Sequence, residues 1–358
     1  MAQMRRLHEL PGAFLAADEL LAACNAYAQN LRCCRDIRFL VSTDLPAIEA
    51  INAVTYGGHD YIVAAFPTWL ERQGKTAWAV GVEDGTGLLA GLEVLSLVDG
   101  GMTGWLEALR VHPRIRRCGV ATYMQSHLVA FAMNKLRLAR VRYNTATSNL
   151  ASRRLAARCG LQEVASWGIL TPRRKEPLTV LAARIRRAMS RDAKLGHQGA
   201  PVKASVLGTF APQLVEFAQQ AGHKFLLQSN WKNYDFALQN VEELLTSGLH
   251  EEPLVKTKSS CGSAVTSFSW AFRQRDAFGL TVFATIYAGE LQETLSHICA
   301  QLNEAIEVAA DYIMFMYAPT VEPELHRMGL VERCQTTLDG NLPVAKCVLL
   351  FERQFASE

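Results

Sequence analysis

The stretch Trp105-Leu106-Glu107-Ala108-Leu109-Arg110-Val111-His112-Pro113-Arg114-Ile115-Arg116-Arg117-Cys118-Gly119-Val120-Ala121 decides how this chain reads. Its first half has the mixed apolar character of a strand that ends at Val111, before Pro113. A loop carrying Arg116-x-x-Gly119-x-Ala121 follows, and a helix is predicted from about Val120 to Lys135. Strand, loop and helix in direct succession aim backbone N–H groups and a helix N-terminus at one spot. That is an anion site, suited to a pyrophosphate. Gly119 lets the backbone approach a phosphate, and the small Ala121 keeps the helix start uncluttered. Arg114, Arg116 and Arg117 add charge where phosphate would sit.

Upstream, Ile37–Val41 reads as a strand, and Thr43-Asp44 sits where a helix N-cap belongs. Ile48, Ile51 and Val54 follow at helical spacing. Thr76–Val82, Leu88–Val98 and Met102–Val111 read as antiparallel strands joined by turns at Gly85-Thr86-Gly87 and Asp99-Gly100-Gly101. Downstream, strand Val141–Asn144, helix Asn149–Arg158 closed by Gly160, and strand Leu161–Leu170 complete the pattern. The order predicts an α/β domain of α+β type.

We therefore expect an Ala-rich N-terminal helical extension over residues 1–35, the α+β domain over 36–172, a basic linker over 173–203 that is helical in part at Leu178–Ser190, and a C-terminal domain over 204–358. The last contains strand Gly279–Tyr287, helix Glu290–Val308, strand Tyr312–Tyr317, helix Val321–Met328, then Gly329-Leu330 and strand Ala345–Glu352. This echoes the order of residues 120–170 and suggests a duplication, although the second copy lacks the Arg-x-x-Gly-x-Ala string.

With 358 residues the chain is too long for one core, and 49% apolar with 20% charged residues excludes a disordered or fibrous class. Its net charge of +3 hides an asymmetry: residues 110–194 hold 19 of the 37 Lys and Arg but only Glu163, Glu176 and Asp192 among 34 acids. Such a block asks for an anionic partner. It lacks regular aromatic interleaving, so nucleic acid is not expected. The longest uncharged run, Cys118–Asn134, is short for a bilayer span, and no membrane partner is expected. Nine cysteines without a Cys-x-x-Cys argue for a reducing, cytoplasmic setting, and nine histidines without a His-x-x-x-His argue against a metal.

In its context the Arg116-x-x-Gly119-x-Ala121 string resembles the acetyl-CoA-binding motif of the GNAT N-acetyltransferases. Asn149-x-x-Ser152 with Cys159-Gly160-Leu161 resembles that superfamily's later segment. Tyr56-Gly57-Gly58-His59-Asp60-Tyr61, the run from Leu92-Glu93 to Val111, Gln228-x-x-Trp231-x-x-Tyr234 and Gly329-Leu330 resemble the histidine N-acetyltransferase family more closely.

The resemblance implies transfer of an acetyl group from acetyl-CoA to a primary amine, a free amino acid with histidine first. Leu109, Val111, Arg116, Arg117, Cys118, Gly119, Val120, Ala121, Asn149 and Ser152 would hold acetyl-CoA. Glu107 is the candidate base, directly or through water, with a strand carboxylate paired to Arg110 as the other reading. Strand alternation places Glu107, Leu109 and Val111 on one face. Backbone N–H near Leu109 would polarise the thioester carbonyl.

Many GNAT enzymes carry a Tyr where this chain has Ala156. Either the thiolate leaves without that acid, or Tyr143 or Tyr61 replaces it, or the protein is a weak catalyst. Tyr56, Asp60, Tyr61 and Glu93 are the expected acceptor contacts, Asp60 for an ammonium or imidazolium. The C-terminal domain would complete the acceptor pocket or a homodimer.

Overall fold

The computed structural model describes residues 34–55, 60–173, 176–192, 200–203, 207–220, 227–229, 232–246, 253–257, 265–276, 279–331, 333–334, 344–345 and 347–355. Of the helical extension expected over 1–35, residues 1–33 lie outside them, as do Tyr56 and Trp231, while Cys34 and Arg35 are not helical but open the first strand. The chain divides into two units, each described by itself. The first comprises the described residues of Met1–Arg142, Leu155–Leu161 and Glu352–Glu358; the second those of Tyr143–Arg154 and Gln162–Phe351.

The first unit begins with strand β1 (Cys34–Phe39), then helices α1 (Leu45–Ala53) and α2 (Ile62–Glu71). Strands β2 (Ala77–Asp84), β3 (Leu89–Val98) and β4 (Thr103–Val111) follow, then helix α3 (Val120–Asn134) and the start of β5 (Arg140–Ala146). The strands lie in sequence order, with β1 to β4 antiparallel. The α3 crossover returns β5 parallel to β4, where Thr103–Trp105 pairs with Arg140–Arg142. Among the described residues this ladder ends at Trp105, so Glu107–Val111 is laddered through β3.

Ile62, Phe66 and Trp69 recur at helical spacing on α2 and pack with Ile48 and Ile51 of α1 against Leu92, Val94 and Ala108 of the sheet. Asp44 precedes α1, as its sequence suggested, but makes no side-chain cap. Its carboxylate turns back to accept two hydrogen bonds from Arg38, at 2.7 and 2.8 Å. Gly91 is required where it stands: a Cβ there would meet the Arg110 carbonyl oxygen at 2.7 Å.

Helix α4 (Leu150–Arg158) spans the boundary between the units and ends as expected, with Gly160 at φ 74°. In the second unit, β6 (Gln162–Leu170) precedes α5 (Leu178–Arg191), β7 (Val202–Lys203), α6 (Leu207–Gln220), β8 (Leu227–Ser229), β9 (Lys232–Tyr234), α7 (Leu238–Thr246) and β10 (Leu254–Thr257). Then come β11 (Val265–Asp276), β12 (Gly279–Tyr287), α8 (Leu291–Glu307), β13 (Tyr312–Tyr317), α9 (Glu322–Arg327), β14 (Arg333–Cys334), β15 (Val344–Ala345) and β16 (Cys347–Gln354). The main sheet here runs β5-β16-β6-β13-β12-β11-β10-β7, with β8-β9 and β14-β15 as small separate pairs.

Strand alternation feeds two cores in this unit. Ile313 and Phe315 join Leu295 and Ile298 of α8, while Met316 joins Leu214 of α6 and Val241 of α7. The helical segment expected within the basic linker is α5, and it is a packed element: Leu178, Leu181, Ala182 and Ile185 are buried in the α8 core.

Candidate functional site

Strand β4 carries a bulge at the candidate base. Val94 pairs with Glu107 and Leu92 with Arg110, so Ala108 and Leu109 together oppose Glu93. Ala108 takes φ 60°, a left-handed conformation that an L side chain seldom adopts. Paired residues share a face. Glu107 and Arg110 therefore both lie on the side of Leu92 and Val94, towards α1 and α2, while Val111, opposite Gly91, lies on the other side. The expectation that Glu107, Leu109 and Val111 share one face is overturned, because one extra residue reverses the alternation.

Glu107 is half-buried and accepts a hydrogen bond from Ser96 Oγ at 2.6 Å. Arg110 gives its fork to Asp60: Nη2 donates to Oδ1 at 3.0 Å and Nε to Oδ2. Asp60, expected to face the acceptor, is instead the buried partner of this ion pair, with its side chain 2% exposed. Its backbone N–H donates to Asn52 Oδ1 at 3.2 Å.

Tyr61 lies on the face of Glu107. It leaves 48% of its surface in solvent, while desolvation acts on its phenol. That desolvation, and then the Glu107 carboxylate, push the phenol above its ordinary value. Glu93 lies on the opposite side of the sheet and is 1% exposed, and its Oε2 has no hydrogen-bond partner. Burial holds the Glu93 carboxyl well above the usual carboxylate range. The fold thus brings Asp60, Tyr61 and Glu107 together and turns Glu93 away from them.

Beyond β4 the chain makes a single 3-10 turn, Pro113–Ile115, in which His112 Nδ1 accepts the Arg114 N–H at 3.3 Å. Arg116 folds back, donating from Nε to the Val111 carbonyl at 3.1 Å. Arg117 at φ 67° and Gly119 at φ 86° bend the loop into α3. Arg116, Arg117, Cys118 and Gly119 are exposed, Leu109, Val111 and Ala121 are half-buried, and Val120 anchors the helix in the core. Gly119 is the N-cap of α3, and no side chain caps that end. The N–H groups of the first turn lack intrahelical partners by construction.

The second unit holds the remaining candidates. Tyr143 is buried; its hydroxyl donates to the Ser152 carbonyl at 2.7 Å, and its ring stacks on Phe351 at 5.6 Å. Asn149 Oδ1 accepts the Ser152 N–H at 3.2 Å and so caps the start of α4. Ala156, in the first unit, is fully buried.

Residues 45–161 match the sequence model of the Acetyltransferase (GNAT) family. This segment carries the match to a GNAT acetyltransferase domain. The chain is 30% identical over 123 residues to the histidine N-acetyltransferase of Xenopus tropicalis, covering 34% of this chain and 36% of that protein. It is 34% identical over 87 residues to that of Scomber australasicus, covering 24% of this chain and 25% of the relative. The chain thus spans about a third and a quarter of the two curated relatives it matches. A crystal structure of a GCN5-related N-acetyltransferase from Sphaerobacter thermophilus shares the fold over 90% of this chain and 96% of its own, with TM-score 0.50 and 15% identity. The mixed α/β fold is therefore GNAT-like over most of the chain.

GNAT proteins use acetyl-CoA, and the residues here fit it. An uncapped helix start behind a left-handed glycine offers N–H donors with no side-chain oxygen competing for them. Arg114, Arg116 and Arg117 supply charge on the exposed loop. Among the described residues no group of three His, Cys, Asp or Glu is placed to hold a metal ion, and no helix is long and apolar enough to cross a membrane.

The Arg110–Asp60 pair and the bulge escaped the sequence reading. A left-handed alanine leaves no sequence signal, and an ion pair across fifty positions shows only once the strand and the loop are placed.

Proposed function

We propose that the chain transfers the acetyl group of acetyl-CoA to a primary amine, the α-amine of a free amino acid, with histidine as first candidate. The observation that supports it is the end of β4, where Glu107 stands at a bulge and the strand runs on, through the loop, to an uncapped helix start at Val120. When bound, acetyl-CoA supplies an activated acyl carbon and a thiolate leaving group whose conjugate acid has a pKa of about 8.5.

The residues of the chain do the rest. Glu107 receives the proton the amine must lose, directly or through water, with Ser96 holding one of its oxygens. The Leu109 N–H, at the bulge, is the candidate oxyanion donor. Exposed Tyr61 faces the acceptor, with Tyr56 five positions earlier in the chain. Asn149, Ser152 and Tyr143 belong to the same proposal. So do the division into an acetyltransferase domain over 36–172 and a C-terminal GNAT-like domain over 204–358, and a cytoplasmic setting. Histidine rests on the names of the two curated relatives.

Mass spectrometry of products from acetyl-CoA and a panel of amino acids, peptides and polyamines tests this. An acetylated amino acid supports the reading, and an acetylated peptide or lysine side chain moves the acceptor. CoA that raises the melting temperature without any acetylated amine overturns it. That last outcome favours a CoA-binding regulator, the alternative raised by Ala156.

A further inference from the structure

We propose that Arg110 is a positioning residue: locked by Asp60, it holds the Tyr61 phenol beside Glu107 and so shapes the acceptor side of the site. This rests on the acetyltransferase reading. Asp60 takes both fork contacts with its carboxylate buried, which fixes the plane of the guanidinium. Nη1 of Arg110 donates to the Leu109 carbonyl at 2.9 Å, tying the same plane to the bulge.

The guanidinium carbon lies 5.9 Å from the centre of the Tyr61 ring. Trp69 meets that ring edge-on, with centroids 6.1 Å apart and planes at 79°. With its ring gripped by Arg110 and Trp69, Tyr61 keeps its hydroxyl end near Glu107 and the Ala108 backbone. The charged groups facing the phenol are Glu107 and Arg110 from β4 and Asp60 from its own turn.

A charge role and a positioning role predict opposite results. The positive charge of Arg110 favours phenolate, so deleting the charge while the ring stays put makes Tyr61 harder to ionise. Releasing the ring to solvent makes it easier. A lysine keeps the charge but loses the planar fork.

The test uses the full-length protein labelled with tyrosine enriched in 13C at Cζ, the Tyr61 signal being assigned with Tyr61→Phe. In the parent protein the signal stays that of protonated phenol past pH 10, the ordinary value being about 10, and it moves in Glu107→Gln. In Arg110→Met and Arg110→Lys it titrates near that ordinary value. A signal unchanged in both, or one that becomes still harder to ionise, overturns the proposal. If Arg110→Met does not fold, Arg110→Lys and Asp60→Asn carry the measurement.

In kinetics, Arg110→Lys raises KM for the acceptor about tenfold and leaves KM for acetyl-CoA unchanged. An equal rise in both overturns positioning on the acceptor side. Failure of the acetyltransferase reading would show separately, as absence of product from the parent protein while the NMR titration still reports on Arg110.

Discussion

Arg142 Nε donates to Glu352 Oε2 at 2.6 Å, joining residues 210 positions apart. Both side chains are buried, and Arg142 Nη1 also reaches Asp99 Oδ2 at 3.2 Å, in the β3–β4 turn. A guanidinium out of water needs such partners, since a buried unpaired charge costs several kcal/mol. Within the first unit, strand β5 is thus tied to a residue of strand β16.

Glu352→Leu, or removal of residues 352–358, is expected to destabilise the protein by about 3 kcal/mol, with Asp99 retaining part of the pairing. Urea denaturation measures this. An unchanged midpoint would mean that the pair contributes nothing to the fold.

Glu107→Gln should bind CoA as the parent does, judged by thermal shift, while kcat/KM falls about 10² to 10⁴-fold. Ser96→Ala removes one hydrogen bond to the same carboxylate and should cost about tenfold or less. Loss of CoA binding in Glu107→Gln would instead assign the residue to the cofactor.

Glu93 makes stability depend on pH. Its folded-state proton affinity is raised by burial, so its contribution is fully present below the unfolded carboxylate value of about 4.3 and is lost as pH rises toward the folded value. Glu93→Gln cannot ionise. Its stability relative to the parent should therefore rise between acid pH and neutrality. Parallel stability curves for the two proteins over that range would contradict this.

Gly119→Ala places a Cβ on a residue at φ 86°, which costs about 1 to 2 kcal/mol, and it should weaken CoA binding. Arg117→Ala, at an exposed position, should leave the melting temperature unchanged and reduce the salt dependence of CoA affinity. Calorimetric titration at two ionic strengths reads both variants.

Much of this molecule was legible in its sequence. The run from Trp105 to Ala121 gave away the strand, the loop and the helix, because glycine, proline and apolar spacing act locally. Strands Gly279–Tyr287 and Tyr312–Tyr317 came out with the bounds expected of them. Strands β10 and β11 were not anticipated: β11 is twelve residues long and mixes serines into its buried positions, as at Ser267 and Ser269.

At the site, Glu107, Gly119 and Tyr61 stand as candidates because each carries chemistry or backbone freedom that few residues supply. Only the tertiary structure decided how they face one another. The bulge at Ala108 sets the side of β4 that Arg110 occupies, Asp60 is drawn inward to neutralise it, and Arg142 waits for Glu352. Each is a pairing across tens or hundreds of positions, settled by the cost of burying charge and by the phase of a strand, and neither is written in local spacing.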